Sequence, residues 1–134
     1  MRISPTTTLG FATLFALVTI FLTGCGSSGD GPPRYKLSGT ANYKGQPIPV
    51  GEISFTPDSA AGNDGPGSVA RIKDGKYQTE PDMGVVGGPY VVRITAFDGV
   101  PVGESTDGTP LLQQPHEEKV ELEKKDSTKD FNIE

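Results

Sequence analysis

Three places in this 134-residue chain carry side chains able to do chemistry. The first is Cys25, the single thiol, set between the apolar run Leu9 to Leu22 and the string Gly26-Ser27-Ser28-Gly29-Asp30-Gly31-Pro32-Pro33. A thiolate is the side chain most readily alkylated near neutral pH, and the small neighbours Thr23 and Gly24 leave the backbone open to an enzyme. The second is His116-Glu117-Glu118, holding the only histidine beside two carboxylates. Side chains that follow one another on a strand point to opposite faces, so these three do not converge on a metal, and a solvated loop end is the reading. The third is Asp58, Asn63 and Asp64, oxygen ligands in a glycine-rich loop whose spacing fits no calcium-loop pattern and which turn chemistry explains equally well. A hydrolase needs a nucleophile, a base near neutral pKa and an orienting group, and any such set would have to be built around His116 alone. No enzyme activity, no cofactor and no metal are expected.

The run Leu9 to Leu22 is uncharged and follows a single basic residue, Arg2, the outline of an export signal. As a helix it rises about 21 Å at ~1.5 Å per residue, whereas a bilayer core needs roughly 30 Å, so a permanent span is the poorer reading. Leu22-Thr23-Gly24-Cys25 resembles the lipobox of bacterial lipoproteins, in which an aliphatic residue and two small ones precede the cysteine. The resemblance implies cleavage before Cys25, a diacylglycerol on its sulfur and a fatty acid such as palmitate on the new amino terminus. Two or three chains hold firmly, since each buried CH2 contributes about 0.8 kcal/mol. Gly26 stands where an aspartate would favour inner-membrane retention, so the resemblance places the protein in the outer membrane, facing periplasm or exterior.

The expected organisation is therefore a signal peptide over 1–24, a flexible tether over 25–34 and one domain over 35–134. Losing Arg2 leaves eleven basic against 17 acidic side chains, which does not suit nucleic acid and gives no net attraction to anionic lipid. Eighteen glycines and twelve prolines without tryptophan point to many tight turns rather than long helices.

Period-two alternation then marks the elements that position the polar groups. Apolar residues alternate over Tyr35 to Lys44, Gly51 to Thr56, Val69 to Lys73, Lys76 to Glu80, Tyr90 to Ala96, Lys119 to Glu123 and Asp130 to Glu134. Gly45 lies in the turn after the first strand, and Asp74-Gly75 is a hairpin signal because a type I′ turn needs positive φ at both central positions. Tyr35, Tyr43, Tyr77 and Tyr90 fall on the apolar phase, which suggests packing with the hydroxyls reaching partners. The loops Asp58 to Gly67 and Asp98 to His116 carry few core residues and are the expected binding surfaces; outward Thr, Lys and Glu read as solvated surface.

The segments GTANYKGQPIPVGEISFTPD, ARIKDGKYQTE, GGPYVVRITAF and KDFNIE resemble carboxypeptidase regulatory-like, transthyretin-like (prealbumin-like) domains of small exported lipoproteins, especially those of planctomycete bacteria. That resemblance implies an all-β, seven-stranded Greek-key β-sandwich of antiparallel sheets, with Gly45, Asp74, Gly75, Gly88 and Tyr90 as structural turn and core positions. The function expected is a non-catalytic structural or binding module of the cell envelope, its partner an envelope protein or glycan. A carrier of a small molecule or carbohydrate, with a pocket between the sheets, is the alternative, and a metal-dependent hydrolase the third.

Overall fold

The computed structural model describes residues 31–134; the expected signal peptide over 1–24, the lipobox-like Leu22-Thr23-Gly24 and the expected lipidation site Cys25 lie outside the described residues. Alternation dictates the result: among the described residues there is no α-helix, and one 3-10 turn at Ser59–Ala61 is the sole helical piece. The strands are β1 (Leu37–Tyr43), β2 (Gln46–Pro47), β3 (Val50–Pro57), β4 (Ser68–Lys73), β5 (Lys76–Gln78), β6 (Gly88–Phe97), β7 (His116–Leu122), β8 (Ser127–Thr128) and β9 (Phe131–Ile133). They form a curled, mainly antiparallel sheet in the order β2-β1-β5-β4-β3-β6-β7, with β8 and β9 both on β1.

The strands β1, β3, β4, β5, β6 and β9 each bury one phase. Leu37 and Ala41 of β1, Ile53 and Phe55 of β3, Ala70 and Ile72 of β4, Tyr77 of β5, Tyr90, Val92, Ile94 and Ala96 of β6, and Phe131 and Ile133 of β9 share one core. Burial of an aliphatic or aromatic side chain contributes roughly 1.5–3 kcal/mol. The centre is aromatic: the rings of Phe55, Tyr77 and Phe131 stand 5.8 to 6.4 Å apart in tilted pairs, the offset geometry that ring quadrupoles favour.

Two pairings depart from the antiparallel pattern expected of the sequence. β8 and β9 run parallel to β1 in one continuous register, Leu37 opposite Ser127 and Tyr43 opposite Ile133. The physical cause is the chain path, because the last residues return from β7 along an edge of β1 that no hairpin occupies. The other edge of β1 changes partner midway, from β5 at Ser38–Thr40 to β2 at Asn42–Tyr43. A strand with successive neighbours is how a sheet bends over a core. Gly39 lies against the β8–β9 link, where a Cβ would overlap the carbonyl oxygen of Lys129, so only glycine admits the crossing of β1 with that link.

Two hairpins end in type I′ geometry. Lys44 and Gly45 take φ of 50° and 75° between β1 and β2, and Asp74 and Gly75 take 51° and 74° between β4 and β5. Gly88 opens β6 at φ 91°, and Tyr90, fully buried, accepts a hydrogen bond on its hydroxyl from Val86 N–H at 3.0 Å. Ahead of β1, Arg34 Nη1 donates to the carbonyls of Gly67 and Gly84.

Candidate functional site

In β4 and β5 the inward residues Ala70, Ile72 and Tyr77 leave Arg71, Lys73, Lys76 and Gln78 on the outer face. The type I′ turn aligns them, placing Lys73 directly opposite Lys76, and the next pairing sets Thr40 of β1 opposite Lys76 and Ser38 opposite Gln78. Across β1, Thr128 faces Ser38, and Asp130 lies beside Thr40. These residues line a shallow groove of about 530 Å3 to which Gly39 and Tyr77 contribute the floor.

One wall is cationic and unpaired. Among the described residues the salt bridges are Arg93–Glu117, His116–Glu118, Lys119–Asp58 and Lys125–Glu123, and none takes Arg71, Lys73 or Lys76. Glu52 lies opposite Arg71 in register without closing to ion-pair distance. Like charges directly opposite on neighbouring strands repel, so the Lys73–Lys76 pair is unfavourable to the isolated sheet.

The other wall is neutral but for Asp130, whose Oδ1 accepts the Thr40 N–H at 2.8 Å and the Thr40 hydroxyl at 2.9 Å. The Thr40 backbone bond, then its hydroxyl, holds the Asp130 carboxyl below its ordinary value of 3.8. Beneath it the Tyr77 hydroxyl donates to the Lys129 carbonyl at 2.6 Å. Burial, then the Asp130 charge, pushes the Tyr77 phenol well above its usual range.

The residues singled out in the sequence fall elsewhere. His116 opens β7 and shares a face with Glu118 at 3.9 Å, while Glu117 turns to the other face toward Arg93 at 3.8 Å. Asp58 is buried and takes the Lys119 ammonium at 2.8 Å, which holds its carboxyl below the ordinary value. Asn63 spends its amide on the carbonyls of Gly87 and Pro89 and its oxygen on Gly65 N–H, whereas Asp64 is exposed. No group of three or more metal-ligating side chains gathers among the described residues.

The long loop is tied by Asp98, whose Oδ1 accepts Val100 N–H and Thr109 N–H, each at 2.9 Å. Those two bonds lower its carboxyl, Val100 contributing most. Both expected binding loops thus spend polar groups on their own folding.

The groove escaped the sequence reading, which took its cations for solvated surface. A signal was present: basic residues at 71, 73 and 76 around an Asp-Gly turn must share one face, because a two-residue hairpin sets its flanking residues opposite each other. No family model matches the chain, and no curated protein or solved structure matches it.

Proposed function

We propose that this chain is a lipid-anchored envelope lipoprotein whose β-domain is a non-catalytic binding module. The observation that carries the binding role is the groove, in which Arg71, Lys73 and Lys76 stand unpaired on a rigid sheet face. Sites built on strands hold their groups in fixed geometry, which suits recognition. A catalytic role has less support, since the His116 ring has Glu118 as its neighbour at 3.9 Å and no described hydroxyl bonds to it.

The anchor rests on Leu22-Thr23-Gly24-Cys25 and on the apolar run before it. Among the described residues no helix is long and apolar enough to cross a membrane, and acylated Cys25 would supply attachment, at the outer membrane by the Gly26 argument. The finer fold we assign is the seven-stranded Greek-key, prealbumin-like sandwich. Its support is the seven strands of three or more residues and the sharing of β1 between two sets of neighbours.

The test is cross-linking in intact cells, wild type beside Cys25→Ala, with mass spectrometry of the captured material and of the protein's own amino terminus. An acylated peptide beginning at Cys25 and a dominant envelope partner lost in the variant are expected. Unmodified Cys25 with the same scattered neighbours in both would remove the anchor and the localisation together.

A further inference from the structure

We infer that the groove on the outer face of β1, β5 and β4 binds an acidic polysaccharide, one bearing carboxylates on its sugar rings. This rests on the binding-module reading above and names its ligand class.

The overall charge is −5, yet the groove gathers three cations against one carboxylate. That carboxylate, on Asp130, stays ionised but is turned to the Thr40 N–H and hydroxyl and closes no salt bridge with the opposite wall, so the groove keeps a net excess of positive charge. Lys73 and Lys76 project from directly opposed positions, with Cβ atoms about 5 Å apart. Arg71 follows two residues along the same strand, about 7 Å away. Arg71 has Glu52 as its cross-strand neighbour, but the opposed lysines repel in the isolated sheet, and an anion laid across the three cations relieves that repulsion. Arg71 can grip a carboxylate with two parallel hydrogen bonds, and the lysines act as point charges beside it.

The opposite wall selects what carries the anion. Ser38, Thr40, Thr128 and Gln78 offer neutral donors and acceptors, the complement of sugar hydroxyls, and the surface between the walls is predominantly apolar, as the carbon face of a sugar ring requires. Nucleic acid fits less well, since the Tyr77 ring is buried and offers no base a stacking platform. A membrane fits less well because the cations line a recess rather than a protruding tip.

The test uses the full-length chain in detergent micelles with polygalacturonate as probe, neutral dextran as control, and phosphatidylglycerol vesicles and an oligonucleotide as competing anions. Titration calorimetry is expected to show binding to polygalacturonate alone, weakened by salt. Arg71→Gln and the double variant Lys73→Gln/Lys76→Gln should each lower affinity about tenfold or more, as loss of charge-assisted hydrogen bonds predicts, while Lys124→Gln leaves it unchanged. Thermal unfolding of the variants at or above the wild-type midpoint certifies that the fold is intact, since removing the opposed lysines relieves their repulsion.

Failure of the wild type to bind polygalacturonate, equal binding by the groove variants, or preference for vesicles or oligonucleotide would overturn the inference. If the in-cell partner is still captured by Lys73→Gln/Lys76→Gln, the groove assignment falls and the binding-module reading survives. If the wild type captures no partner at all, the broader reading falls first.

Discussion

Asp98, Asp126 and Asp130 each lend a carboxylate oxygen to backbone N–H groups that the strand ladder leaves without a carbonyl: Val100 and Thr109, Lys36, and Thr40. Asp98 and Asp130 are held below their ordinary value of 3.8, as is Asp58 by Lys119. A carboxylate whose folded pKa is depressed contributes stability that is complete above the unfolded value and lost as pH falls through the folded one. Acid titration followed by circular dichroism should therefore show stability constant from neutrality down to about pH 5 and declining below 3.8. Asp98→Ala should leave global unfolding nearly unchanged but speed proteolytic cleavage within residues 99–109, since two loop N–H groups lose their acceptor. Tyr90→Phe removes the acceptor of Val86 N–H beside a fully buried ring, and urea unfolding should register a loss of about 1–3 kcal/mol. Little of this was legible in the sequence. Asp58 and Asn63 stood between ion ligand and turn former, because a polar side chain in a loop reads the same whether it meets a cation, as Asp58 meets Lys119, or backbone groups near and far, as Asn63 meets Gly65, Gly87 and Pro89.

Alternation revealed the elements well where a strand buries one face over several residues. Tyr90, Val92, Ile94 and Ala96 of β6 are all buried, and the period of two that marked them is the cause. β2 and β8, two residues each, are too short to show a period. Period also says which face is buried and nothing of which neighbour pairs, so the parallel partnership of β9 with β1 stayed hidden. The tolerance of β1 turns on Gly39. Gly39→Ala drives a methyl into the Lys129 carbonyl and should cost about 1–3 kcal/mol, read as a lowered denaturant midpoint. Because Lys129 also receives the Tyr77 hydroxyl, the same substitution should raise hydrogen exchange at Lys129 and Asp130.

At the scale of the molecule, one core joins strands from both ends of the described residues, so unfolding of this domain should be a single cooperative transition. Phe131 is its most revealing member, three residues from the end and in contact range of Phe55 and Tyr77. Phe131→Ala should cost about 3–5 kcal/mol, a large share of the 5–15 kcal/mol that typically holds such a domain, and calorimetry would show it as a steep fall in melting temperature. The parallel register of β1 with β8 and β9 also governs when the domain can form. Ninety positions separate Leu37 from Ser127, and a polypeptide delivered from its amino terminus presents β1 first. One flank of that strand then waits, unpaired, until residues 127–133 have followed it. That edge of β1 is thus finished long after the strand itself is made, and β9 is the latch that closes it.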